Sequence, residues 1–228
     1  MTPAGIFFLI FHAGFIPWAV LRSKKKLGAT LPRVVFTKHV ISTIVQLALF
    51  LVLAMGVAKV EWIQLFPAPS FRAIDLGAGA AMLIIAVAVM APRWKRNVEK
   101  GAPLVKLFAP HTPLERALWL GVSAMAAVAE ECTYRGVMFV LVARITGSEL
   151  ASAAFCAAVF AVAHMIQGRK TAAVIVFFAL GFHALVALSG SLYVAMAVHF
   201  LYDAAAGFVY GHYDSRAKRA AAETGGAT

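Results

Sequence analysis

Acidic residues are scarce in this chain: 228 residues hold ten Asp and Glu against 21 Lys and Arg, and charged residues of both signs reach only 14%. A soluble domain carries roughly 25% charged residues, so this supply is too thin to cover a water-facing surface. Cysteine is nearly absent. Cys132 and Cys156 both lie inside apolar runs, which excludes a disulfide scaffold. No internal repeat occurs, which argues against an inverted-repeat transporter. The first apolar run has no basic stretch before it and no small-residue cleavage site after it. The expectation is therefore a retained first span rather than a signal peptide, and the ending Gly225-Gly226-Ala227-Thr228 offers no cysteine for lipidation.

What is abundant is apolar surface. Hydrophobic residues make up 62% of the chain and mean hydropathy is +0.83. That excludes disorder, and it exceeds what a core of this size can bury, so much of it must face lipid. Seven apolar runs stand out: Ala4–Leu21, His39–Val60, Ile74–Ala91, Ala117–Ile145, Glu149–Ile166, Thr171–Leu188 and Leu192–Tyr210. Most match the ~20 residues that cross ~30 Å of hydrocarbon. The fourth is too long and is expected to tilt, project or break.

Positive charge falls between the runs rather than on one face, so the net charge of +11 is no nucleic-acid signature. Arg22, Lys24, Lys25, Lys26, Arg33 and Lys38 follow the first run; Arg93, Lys95, Arg96, Lys100, Lys106 and Arg116 follow the third. Arg169 and Lys170 follow the fifth, and Arg216, Lys218 and Arg219 the seventh. Intervening connections offer only Lys59, Arg72 and Arg144. By the positive-inside rule the basic set is cytoplasmic, which puts the N-terminus outside and the C-terminus in the cytoplasm. The fold expected is an all-α polytopic membrane bundle of about seven transmembrane helices. Its parts are 1–112 (N-terminal spans and basic connections), 113–211 (the helices bearing the motifs below) and 212–228 (a disordered tail). The basic and apolar stretch Pro92–Pro113 suits a surface against anionic lipid.

Chemistry is sought where polarity is expensive, since an ionisable residue deep in a span costs ~2.5–3.5 kcal/mol. Glu130, Glu131 and Asp203 are the acids deep in the runs, with Arg135, His164, His183 and His199 beside them. Glu131 and Arg135 are spaced i,i+4 and can pair, while Glu130 has no local partner and suits a general base or acid. His199 and Asp203 are also spaced i,i+4 on one face. His183 has alanines at both i±4 positions and reads as structural, and Cys132 reads as small packing.

Glu130-Glu131-x-x-x-Arg135, Phe160-x-x-x-His164 and His199-x-x-x-Asp203, in this order on three runs, resemble the CPBP family of intramembrane proteases. That family includes the type II CAAX prenyl endopeptidase and the bacterial Abi-type proteins. The resemblance spans about Pro113 to Tyr210. It implies catalytic roles for Glu130, His164, His199 and Asp203: Glu130 as general base on water, His164 positioning that water, His199 and Asp203 stabilising the oxyanion. Glu131, Arg135 and Phe160 would support them. It implies a protein or peptide substrate, lipidated or bearing a C-terminal sorting signal, a lipid membrane as the other partner, and no nucleic acid.

Whether a metal takes part stays open at this level. Glu130, His164 and His199 are acceptable zinc ligands, yet the His-Glu-x-x-His pattern is absent, so a metal-free site is slightly favoured. The alternative functions are a non-catalytic membrane or immunity scaffold and a proton-linked transporter. The expected location is a bacterial inner membrane.

Overall fold

The computed structural model describes residues 1–27, 36–69, 71–102 and 105–225. Arg33 of the first basic connection, Leu104 of the Pro92–Pro113 stretch and the last three residues of the expected tail lie outside them. The described residues form helices joined by short irregular connections, with no strand. In chain order they form α1 (Pro3–Leu9), a π-helical stretch (Ile10–Phe15), α2 (Ile16–Leu27), α3 (Phe36–Val60) and α4 (Ala73–Glu99). Next come α5 (Val105–Phe108), α6 (Pro113–Glu130), a second π-helical stretch (Glu131–Met138) and α7 (Phe139–Thr146). Last are α8 (Glu149–Ala163), a 3-10 turn (Met165–Gln167), α9 (Arg169–Ser189) and α10 (Tyr193–Gly225).

Among the described residues, five helical segments are long and apolar enough to cross a membrane: Pro3–Ser23, Phe36–Val60, Ala73–Glu99, Arg169–Ser189 and Tyr193–Arg219. The protein is an integral membrane protein. Of the other two apolar runs, one is the shorter α8. The other is the α6–α7 run, where Glu115, Arg116, Glu130, Glu131 and Arg135 break up the hydropathy. Mid-helix side chains such as Val52 and Ile84, both 68% exposed, and Phe177, 74% exposed, form the outward surface expected to meet acyl chains.

Local signals set the helix ends. Thr112-Pro113-Leu114-Glu115 is a capping box: the Thr112 hydroxyl accepts from the Glu115 N–H at 3.1 Å, and the Glu115 carboxylate accepts from the Thr112 N–H at 3.1 Å. Ser148 caps α8 by accepting from the Ala151 N–H at 3.2 Å. Gly147 and Gly190, at φ 66° and 67°, end α7 and α9 in the left-handed conformation that glycine adopts without strain. Asp75 is buried but held at the first turn of α4 by the Arg72 guanidinium at 2.7 Å.

Three expectations need amending. The overlong fourth run does not break; it stays continuous by passing through eight π-helical residues, all buried. The third run, read as ending at Ala91, continues as helix through Pro92 to Glu99, so Arg93, Lys95 and Arg96 ride the last turns of α4. The stretch from 212 onward, expected to be disordered, continues α10 as far as Gly225. It is rich in alanine, lysine and arginine, which are strong helix formers, and Asp214 pairs with Lys218 one turn on at 2.7 Å.

Candidate active site

Glu130 ends the regular part of α6 and Glu131 opens the π-helical stretch, so the two carboxylates leave the chain where its winding changes. Glu131 turns inward and is fully buried. Its Oε1 lies 3.1 Å from Arg135 Nη1 and also accepts from His199 Nδ1 at 2.9 Å. Arg135 in turn lies over the Phe160 ring at 4.5 Å and the Phe182 ring at 5.1 Å. The ion pair is thus boxed in by aromatic faces. Behind it Glu131 Oε2, Thr133 Oγ1, Arg135 Nε and His183 Nε2 are buried without a protein partner among the described residues. An unsatisfied buried polar group costs about 1–3 kcal/mol, a burden that tethering two helices does not require.

Glu130 points the other way, toward both histidines. Its Oε2 lies 3.6 Å from His199 Nε2 and 4.0 Å from His164 Nε2. Each imidazole is oriented from behind. His164 Nδ1–H donates to the Phe160 carbonyl at 2.8 Å, one turn earlier. His199 Nδ1–H donates to Glu131. With Nδ1 fixed as the donor, both Nε2 atoms are left for whatever lies beside Glu130. Asp203 completes the group, its Oδ2 3.5 Å from His199 Nε2.

How these residues reach one depth follows from the packing of Gly136. In the sequence His199 sits near the start of its run and His164 near the end of its own, which seems to set them apart. A side chain at Gly136 would collide with Leu65 and would come within 3.5 Å of Leu192. The α9–α10 turn is therefore drawn in beside the middle of the fourth run. Glu130 precedes Gly136 by six residues and His199 follows Leu192 by seven, and the two helices run in opposite directions, so the pair meets.

The cluster opens into a cavity of about 450 Å³ between α3, α4, α6, α9 and α10. Its walls are mostly apolar and aromatic, among them Trp94, Phe108, Trp119, Phe178 and Phe182, and Glu130, His164, His199 and Asp203 supply the acid and base groups. An apolar chamber with a few convergent polar groups is the common form of a binding site. As ligands for a metal the residues fit poorly: among the described residues no three His, Cys, Asp or Glu side chains are disposed around one ion position.

All seven expected site residues come together. Phe160 touches two of them, through its ring with Arg135 and His164 and through its carbonyl with His164. The His183 ring lies 5.3 Å from that of Phe139 and tilted against it, behind the site rather than in it. Two links escaped the sequence reading. His199 is held by Glu131, 68 residues away, and spacing carries no trace of that bond. Trp119 donates its indole N–H to the Asp203 carbonyl at 2.9 Å. The sequence does hold a hint of the second, because Gly207-Phe208-Val209-Tyr210-Gly211 is a GxxxG pattern that lets two helices approach closely. A side chain at Gly207 would strike the Trp119 indole.

Residues 112–205 match the model of one protein family, described as type II CAAX prenyl endopeptidase Rce1-like. The match takes in all three motifs and ends before the GxxxG pattern. No curated protein and no solved structure matches the chain.

Proposed function

We propose that the protein, whose residues 112–205 match the type II CAAX prenyl endopeptidase Rce1-like family, is an intramembrane endopeptidase that hydrolyses a peptide bond with a water activated by Glu130. The observation that carries the reading is the approach of Glu130 Oε2 to both histidine Nε2 atoms, at 3.6 and 4.0 Å, on the wall of an apolar cavity. The 4.0 Å separation from His164 is too long for a direct hydrogen bond and short enough for one shared water.

In this mechanism His164 Nε2 accepts one hydrogen bond from that water and orients it. Glu130 takes its proton as the oxygen adds to the carbonyl carbon. The resulting oxyanion needs donors, so His199 Nε2 must carry a proton, with Asp203 protonated as the second donor. Glu131, paired with Arg135, supports the positive charge that this state of His199 requires. Protonated Glu130 then passes its proton to the leaving amine as the C–N bond breaks. No step passes through a metal.

The basic connections support an orientation with the N-terminus outside and seven spans, in a bacterial inner membrane. The substrate class is a protein or peptide whose scissile bond lies in a membrane segment or near a C-terminus, lipidated or carrying a sorting signal. The test is turnover of membrane-anchored peptides by purified protein in vesicles. Glu130→Gln should lower kcat by about a thousandfold or more while the melting temperature stays near wild type. Near-normal turnover by that variant would remove the general-base role. Chelator-sensitive turnover restored by zinc would make Glu130, His164 and His199 ligands instead.

A further inference from the structure

A second cleft, of about 390 Å³, lies outside the cavity described above, where the C-terminal half of α10 passes the start of α6. It is lined by Arg116 from α6 and by Phe208, His212, Arg216 and Arg219 from α10. The α10 residues are spaced by four, four and three, so they form one stripe along the helix. The floor is made by close backbone approach: a side chain at Gly211 would come within 2.6 Å of the Pro110 carbonyl oxygen.

Charge in the cleft is unbalanced. Asp214 on α10 is already engaged by His111 Nε2 at 3.0 Å and Lys218 Nζ at 2.7 Å, and Glu223, one turn beyond Arg219, is exposed and makes no ion pair with it. Among the described residues Arg116, Arg216 and Arg219 have no ion-pair partner. Three guanidinium groups facing one concave space present many parallel donors, the arrangement suited to phosphate oxygens. The cleft is also graded along its length. Phe208 lies well inside the apolar span Tyr193–Arg219, and Arg216 and Arg219 close that span. The distance from 208 to 219 is ~16 Å at 1.5 Å per residue, enough to hold a headgroup at one end and the start of an acyl chain at the other.

We propose that this cleft binds an anionic phospholipid, with its phosphate on Arg116, Arg216 and Arg219 and its glycerol and proximal acyl carbons along Phe208. A soluble anion would use only the basic end and would leave the apolar end without a role. All of the site but Arg116 lies outside residues 112–205, and its test reads binding, so it stands or falls apart from proteolysis.

The full chain in neutral detergent is titrated with short-chain phosphatidylglycerol, with phosphatidylcholine of the same chain length, and with inorganic phosphate. Retained adducts are counted by native mass spectrometry and the melting temperature is followed. Phosphatidylglycerol should be retained and should raise the melting temperature more than phosphatidylcholine. The Arg116→Gln, Arg216→Gln, Arg219→Gln triple variant should bind it about a hundredfold more weakly, at ~1 kcal/mol per basic residue. Should the triple variant fail to fold, Arg219→Gln alone, at an exposed position, should weaken binding about fivefold. Lys95→Gln with Lys100→Gln, on the other basic surface, should leave the affinity unchanged. Equal losses in that control would mean general surface attraction and overturn the site. Undiminished binding by the arginine variants would also overturn it, as would an equal thermal shift from inorganic phosphate at the same concentration.

Discussion

The two histidines beside Glu130 are held by groups of different kinds. His164 leans on a backbone carbonyl that no side-chain substitution removes, while His199 leans on Glu131 and shares a helix with Asp203. Asp203 itself is held through its carbonyl by the Trp119 indole, and that indole lies against Gly207. In the proposed mechanism Trp119 is thus a positioning residue. Trp119→Phe keeps the ring and loses the donor, and Gly207→Ala displaces the ring. Each should lower kcat about tenfold, the worth of one hydrogen bond of roughly 1–1.5 kcal/mol, with little change in KM. The check is separate determination of kcat and KM; a rise in KM alone would make Trp119 a wall of the cavity and nothing more.

Among the elements, the π-helical stretch Glu131–Met138 does most to shape the site. It buries eight consecutive residues, including an acid and an arginine, in the centre of the bundle. Removing one member of a buried pair strands the other at a cost of ~3–5 kcal/mol, so Arg135→Ala should sharply reduce folded yield. Replacing both, as Glu131→Gln with Arg135→Met, should restore yield, because neither partner is left charged, but should not restore turnover, because His199 loses the carboxylate behind it. Size-exclusion profiles and turnover measured on the same preparations separate these outcomes. The Glu131–Arg135 pair was legible in the sequence because residues four apart still meet through the change of winding. The apolar runs were legible for the same reason, since lipid and helix period leave their mark on local composition. The bond from Glu131 to His199 was not, because it depends on where Leu192 seats against Gly136, a matter of side-chain volume between segments far apart in the chain. The helical course of 212–225 was in principle readable from its alanine content, but charge and polarity there mimic a solvated tail.

For the molecule as a whole, the end remote from the basic connections is tied by Glu61. It accepts from the Thr2 backbone N–H at 2.5 Å, the Thr2 hydroxyl at 2.6 Å and Arg144 Nη1 at 2.9 Å, joining α1, α3 and α7. The Thr2 hydroxyl and N–H, with Arg144, hold its carboxyl below the ordinary value of 4.5. A lowered folded value means that this stabilisation is complete above pH 4.5 and is lost as pH falls through the folded value. The wild-type melting temperature should therefore fall on acidification below that point, and Glu61→Gln should start lower and fall less; parallel curves would show that other groups govern the acid response. One further consequence lies in α10. This helix carries Asp203 and, thirteen residues on, Arg216, a rise of ~20 Å along one axis. If Arg216 rests at the level of the headgroup phosphates, the reacting carbonyl must descend that far, and an extended strand needs about six residues to do so at ~3.3 Å each. If the protein is the protease proposed, it would measure its substrate as a plumb line measures depth. A chain anchored at the surface would then be cut only where the bond to be broken lies at least that many residues beyond its anchor, whatever its sequence.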